Sequence, residues 1–436
     1  MRIVHPLTDN ELQLQNQRSR DEMSSAAQKP RSAFFLLPWL AVFGPGLVVM
    51  LADTDVGSII TAGQSGVQWG YKLLVPQFLL MPVLYIVQEL TVRLGIFTGK
   101  GHGELIREAF GPKWAWLSAT GLGVATIGAL LTEFSGVAGV GDLYGVPHYI
   151  SLPLAATALL AVVVTGSYRR VEHVAMIIGG FELAFFLVAW VSHPSLAQMT
   201  TEALHPPVFN GGYEYLVAAN IGAVIMPWMV FYQQSAVADK RLTPEHFTAA
   251  RWDTGIGAVI TQLVMAAVLI AAAASIRPHA ANASLNTVGD MSLAMTPYLG
   301  AQWGKLIFGL GVMGAGMVAA IVASLALAWG LGEVAGYRRS LEYHPLKAKW
   351  FYAVYAICVI GGAAAVGVAP NLVSLNVGVQ VMNALLLPLV LGFLVRLAMV
   401  TLPENVRLKG WYMWVVVGVC AITCGFGVLG GIGGLL

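Results

Sequence analysis

Apolar positions in this chain come in long blocks, not at the period of a strand or of an amphipathic helix. Eleven blocks reach the roughly 20 residues that a helix needs to cross a bilayer. They cover residues 34–66, 73–95, 115–142, 150–167, 172–192, 213–238, 254–276, 303–333, 351–369, 372–400 and 411–435. Short polar connections separate them, and residues 1–33 form a polar stretch expected to be a disordered tail. The pattern predicts an all-α polytopic membrane protein with eleven transmembrane helices.

Two blocks carry interruptions. The first holds Gly44-Pro45-Gly46 and then Asp53-Thr54-Asp55-Val56-Gly57-Ser58. Carboxylates at that depth are expensive and mark a pathway or a bound ligand, and the glycines beside them suggest that the helix unwinds there. The sixth holds Gly222 to Met226 followed by Pro227 and Trp228. A proline in mid-span removes a helical hydrogen bond and clashes with the preceding turn. These blocks open two five-span halves, residues 34–192 and 213–400, with 411–435 as an extra helix. An odd number of spans per half inverts the second copy in the membrane. Interrupted helices at matching places in inverted halves point to a midplane site, and the arrangement resembles the LeuT-type five-plus-five inverted repeat.

Charge sets the orientation. With the N-terminus cytoplasmic and the C-terminus outside, all but three of the 24 basic residues fall on the inner side; Lys72, Arg277 and Lys305 are the exceptions. The chain of 436 residues is 57% hydrophobic and 11% charged, against about 25% charged in soluble domains. A water-soluble protein is thereby excluded. The charged stretch ahead of the first block is too long for a cleavable signal peptide. Cys358, Cys420 and Cys424 all lie in apolar runs, so neither a disulfide framework nor a zinc cluster is expected. No histidine falls in the middle of a block, and no Ser/His/Asp set is present, so an enzyme is not expected. Nor is a nucleic-acid partner or a resident cofactor.

The interrupted blocks are where the chain resembles the Nramp family of divalent-metal transporters. Asp55-Val56-Gly57-Ser58 stands where that family carries Asp-Pro-Gly-Asn, followed by Thr61, Gln64, Gly66 and Gly70-Tyr71 at similar offsets. Leu94 to Lys100, Tyr168 to Glu172 and Gly222 to Pro227 are similar to further family segments. The departures are specific. Val56 replaces the family's proline and Ser58 its asparagine. Trp228 replaces the histidine of Met-Pro-His, and Leu130 the aspartate of the span-3 Asp-x-x-Glu, whose glutamate remains as Glu133.

Asp55 is the first candidate metal ligand, since a carboxylate suits any divalent cation; its competing role is to cap the broken helix. The backbone carbonyl of Ala52 or Asp53 is a second, because unwound carbonyls coordinate ions in such folds. Met226 offers a thioether that favours later transition metals over Mg²⁺ or Ca²⁺, with core packing as the alternative. The resemblance implies the Ala223 carbonyl and puts the Ser58 hydroxyl where the family has an amide oxygen. Asn376, Gln380 and Asn383 form one polar stripe on span 10, with Gln380 assigned to the metal shell and interhelical hydrogen bonding as the other reading. Asp53, Glu133 and Glu182 are the candidate proton pathway, Asp53 having a capping or ion-pair role as its competitor. Glu89, one turn before Arg93, is expected to pair with it.

The function these features predict is import of a divalent transition metal, Mn²⁺ or Fe²⁺, by alternating access. Proton coupling and uncoupled transport both stay open. The alternatives are Mg²⁺ transport on the same fold and a sodium-coupled amino-acid carrier. The last is disfavoured because two acidic residues at the break repel a substrate carboxylate. In a bacterium the expected location is the inner membrane, with the lipid bilayer as the surrounding partner.

Overall fold

The computed structural model describes residues 44–165, 167–207, 210–280, 285, 288–292, 303–368 and 375–433. The expected tail, residues 1–33, lies outside them.

The first apolar block folds as two helices. α1 (Pro45–Asp53) starts with Pro45 in its first turn, where a missing N–H leaves no bond unmade, behind Gly44 at φ 146°. α2 (Val56–Trp69) begins after Thr54 and Asp55. Gly70 (φ 62°) then bends the chain through a 3₁₀ turn, Gly70–Leu73, into α3 (Leu74–Thr98). The short α4 (His102–Phe110) leads into α5 (Pro112–Leu143), and α6 (His148–Val164) follows. The fifth block is divided as well. α7 (Tyr168–Gly179) and α8 (Ala184–Val191) meet at a 3₁₀ turn, Gly180–Leu183, that carries Glu182. α9 (Leu196–Ala203) lies in the connection.

The sixth block breaks where Pro227 predicts. α10 (Gly211–Val224) is capped by Asn210, and α11 (Pro227–Asp239) starts after the extended Ile225 and Met226. The remaining long helices are α12 (Phe247–Ser275), α13 (Trp303–Ala335), α14 (Lys349–Val368), α15 (Asn376–Val400) and α16 (Gly410–Gly433).

Among the described residues nine helical segments are long and apolar enough to cross a membrane, against the eleven expected. Two differences account for the gap. α2 and α3 run as one segment, Val56–Thr98, because only a 3₁₀ turn separates them. α6 has 17 residues, about 25 Å of helix, and is a shorter apolar helix.

α13 is central, packed on α5, α11, α14 and α1. Its glycines set the spacing: a Cβ at Gly314 would sit 2.5 Å from the Ile178 carbonyl oxygen, and one at Gly311 2.9 Å from the Phe185 ring. In lipid, helices gain stability from such close packing more than from burial of apolar area. α12 lies against α1, α2 and α3, and α10 against α15 and α16. Leu79, Trp190, Ile357, Phe426 and Leu429 remain exposed, as suits a surface facing hydrocarbon.

Candidate metal-binding site

Both helix breaks release a backbone carbonyl, each for its own local reason. In an unbroken helix the Ala52 carbonyl would accept from Val56 N–H. Here that N–H donates instead to Glu133 Oε2 on α5, at 3.1 Å. The Ala223 carbonyl would accept from residue 227, but Pro227 has no N–H. Ala223 instead accepts from the Ser58 hydroxyl at 2.9 Å. That bond ties the first break to the second.

Asp55 sits at this junction, fully buried. Its Oδ1 accepts from Ser58 N–H at 2.6 Å and so caps α2. The same oxygen accepts from Gln380 Nε2 at 3.3 Å. Its Oδ2 has no hydrogen-bond partner. The side chain therefore performs the capping role and still presents a buried carboxylate oxygen to which no N–H or hydroxyl donates among the described residues. Met226, fully buried, occupies the second break as the residue ahead of α11.

Span 10 divides its polar stripe between tasks. Gln380 reaches Asp55, and Asn383 Nδ2 donates to Gln380 Oε1 at 2.9 Å, orienting it. Asn376 lies near α5 instead, 3.5 Å from the Ser135 hydroxyl. Two glycines admit Gln380. A Cβ at Gly57 would fall 2.3 Å from Gln380 Nε2, and one at Gly222 would fall 1.8 Å from the Gln380 carbonyl oxygen. Gly57 is thus a clearance residue: the helix has already resumed at Val56, and the unwound pair is Thr54–Asp55. The sequence places the unwinding at the carboxylates, where it is found, with the glycine beside them as its signal; the structure gives that glycine a different task, clearance for Gln380.

Asp53 and Asp55 face different helices. Asp53 Oδ2 accepts from Gln262 Nε2 on α12 at 3.2 Å, and its Oδ1 is unpartnered. Thr54 shares a hydroxyl hydrogen bond of 2.6 Å with Thr261. Glu182, also fully buried, lies beside Thr54. Glu133 lies against Asp55 and accepts from the Thr132 hydroxyl at 2.8 Å as well as from Val56. Glu89 is remote from this junction, paired with Arg93 at 2.7 Å as its spacing implies.

Sequence reasoning missed His102. It is buried at the start of α4, with Nδ1 3.0 Å from Gln234 Oε1 and its ring edge-on to Phe231, centroids 4.8 Å apart. Burial pushes its pKa down to about 4, so the ring is neutral near pH 7. Its lone position in a polar connection gave no periodic signal. Far along the bundle, Glu202 joins Arg277 at 2.8 Å and accepts from Tyr71 N–H at 3.1 Å. Partial burial raises its pKa, but the bonds from Gln198, Tyr71 and Arg277 outweigh that and hold it below the ordinary value.

Among the described residues no three His, Cys, Asp or Glu side chains group as a metal cluster. The candidate donors at the junction are the Asp55 carboxylate, with Glu133 beside it, a hydroxyl, backbone carbonyls, an amide and the thioether expected of Met226. Such a set gives weak total charge and mixed softness, which fits a cargo that must leave as well as bind.

A family profile described as natural resistance-associated macrophage protein-like matches residues 46–432. A divalent metal cation transporter, MntH, of Klebsiella pneumoniae strain 342 is 28% identical over 420 residues, 91% of this chain and 95% of the relative. Among solved structures, a manganese transporter of Eremococcus coleocola superposes with a TM-score of 0.77 at 17% identity, covering 92% of this chain and 88% of that one. A nucleobase-cation-symport-1 family transporter in a closed conformation gives 0.60 at 14% identity, covering 90% of each chain. At these identities the structures show the likeness of fold: an all-helical polytopic membrane protein with LeuT-like neighbours.

Proposed function

This chain belongs to the Nramp family, and on that premise we propose that it imports a divalent transition metal, Mn²⁺ or Fe²⁺, by alternating access through the junction of α1–α2 with α10–α11. One observation carries the proposal. Asp55 Oδ2 is a buried carboxylate oxygen to which no N–H or hydroxyl donates among the described residues, beside the Glu133 carboxyl and at the point where both broken helices meet. A buried anion is kept only where something neutralises it.

The cargo ion is held by Asp55, with the Ala52 and Ala223 carbonyls and Ser58 as neutral oxygen donors, and Gln380, whose Nε2 here faces Asp55, joins them through Oε1 once its amide turns from Asn383. Met226 supplies the soft donor that discriminates against Mg²⁺. Asp55 and Glu133 adjoin in an interior where, among the described residues, no basic side chain bonds to either, so a dication or a proton must offset their charge. That supports a proton route through Glu133, with Asp53 and Glu182 as further carriers on the α7–α8 and α12 side. The helices are read as eleven spans in two inverted five-helix halves, residues 34–192 and 213–400, with 411–435 outside the repeat. The N-terminus is cytoplasmic in that arrangement.

Two clasps support alternating access. Asp253 on α12 accepts from Gly44, Gly46 and Leu47 N–H at 3.2, 2.8 and 3.3 Å, pinning the start of α1. At the other end the Glu202–Arg277 pair holds the turn after α2. Releasing one clasp at a time exposes the junction to one side at a time.

The oxygen-rich donor set favours Mg²⁺ as the second reading. Uptake into proteoliposomes tests both, with wild type and Asp55→Ala and with an internal pH dye. Mn²⁺ entry that survives excess Mg²⁺ and is lost in Asp55→Ala is the expected result. Equal Mg²⁺ entry would make Met226 a packing residue.

A further inference from the structure

A groove of about 680 Å³ runs between α3 and α12 on the outer surface of the bundle, apart from the metal junction. Its floor is apolar, with Pro82, Gly255, Ile256 and Val259 along it. Gly255 supplies no side chain there, and a Cβ would stand at ordinary contact distance, 3.4 Å, from the Tyr85 ring. From Arg251 to Ile260 the groove follows α12 for roughly 14 Å.

One end is polar, formed by Arg251, Thr248 and the Tyr85 hydroxyl. Trp252, 59% exposed, flanks that end, where an amphipathic ring suits the headgroup level. The Arg251 side chain is 45% exposed but fixed from behind: its Nε lies 3.4 Å from Glu89 Oε1 and 3.3 Å from the Tyr85 hydroxyl. Its guanidinium also stacks over Phe247 at 5.5 Å. Glu89 is shared, since Arg93 holds it at 2.7 Å. One carboxylate thus faces two guanidinium groups, leaving a net positive charge at the polar end. The terminal nitrogens of Arg251 are the fork that recognises phosphate oxygens.

We propose that this groove binds one anionic phospholipid, its phosphate on Arg251 and Thr248 and an acyl chain over Pro82, Gly255 and Ile256. Charge complementarity selects the occupant: an apolar trough opening to hydrocarbon, closed at the interface by a positively charged fork, fits a lipid with an anionic headgroup. A zwitterionic lipid fills the trough but leaves the net charge unmatched.

Native mass spectrometry of the full chain, titrated with phosphatidylglycerol or with phosphatidylcholine, tests this. Wild type is expected to retain phosphatidylglycerol in preference. Arg251→Gln should lower that retention about fivefold and phosphatidylcholine retention by less, so that the preference shrinks. Glu89 keeps Arg93 in that variant, so the helices stay packed. Gly255→Leu fills the trough and should reduce retention of both lipids. Wild-type retention of phosphatidylglycerol by Arg251→Gln would overturn the proposal. So would unchanged retention of both lipids by Gly255→Leu, which is read independently.

Discussion

Val56 N–H donates to Glu133 Oε2 at 3.1 Å, so the first donor of α2 is capped from α5 rather than by its own chain. A proline at position 56, the residue of the family pattern, has no N–H to give. The substitution at position 56 and the retained glutamate at 133 are therefore physically linked.

Val56→Pro removes that donor without disturbing the helix start, since proline is favoured in the first turn. Glu133 loses a hydrogen bond and a buried acceptor is left unsatisfied, a cost of about 1–3 kcal/mol. The melting temperature in detergent should fall by several degrees while Mn²⁺ uptake persists. An unchanged melting temperature would mean that the Val56–Glu133 bond adds no stability.

Met226→Ala removes the soft donor and leaves the oxygen donors in place. Mn²⁺ affinity should drop about tenfold with Mg²⁺ affinity unchanged, measured by calorimetry. Equal loss for both metals would point to packing instead.

Gly222→Ala and Gly57→Ala should differ in severity. The new Cβ at Gly222 meets backbone, 1.8 Å from the Gln380 carbonyl oxygen, and α15 must shift. At Gly57 it meets the flexible end of the Gln380 side chain, which can swing away. Overpacking of this kind costs about 1–3 kcal/mol, and Gly222→Ala should lie at the upper end. Gly57→Ala should keep its fold and lose transport, because Gln380 leaves Asp55. Comparing melting temperatures with uptake separates the two.

Asp253→Ala withdraws the carboxylate that accepts from Gly44, Gly46 and Leu47. Such a cap contributes about 1–2 kcal/mol. Amide exchange across residues 44–53 should speed up roughly tenfold while α13 stays protected. Unaltered exchange would show that α1 is held by packing alone.

His102 makes stability depend on pH. Its folded pKa, about 4, lies below that of the unfolded chain, so acid favours unfolding. Stability should be full above about pH 6.5 and fall as the pH drops toward 4. His102→Phe should flatten that slope; a slope as steep as wild type would assign it to other groups.

The sequence alone determined the class, the apolar blocks and the places where two of them break. Those features are local. Hydropathy needs only composition, and Pro227 frees the Ala223 carbonyl whatever surrounds it. Asp55 at the first break was legible for the same reason, as a carboxylate at apolar depth. The Asn376, Gln380 and Asn383 stripe was legible as a face with Gln380 as its metal-shell member, but not how that face comes to reach Asp55. Tertiary structure decided that, through glycines at 57 and 222 that let α15 approach both broken helices. It also turned Asp53 toward Gln262 and Asp55 toward Gln380, bent the fifth block at Glu182, and buried His102 against α11. Each of these depends on contacts between residues far apart in the chain, and helical periodicity says which face a residue is on without saying what packs there.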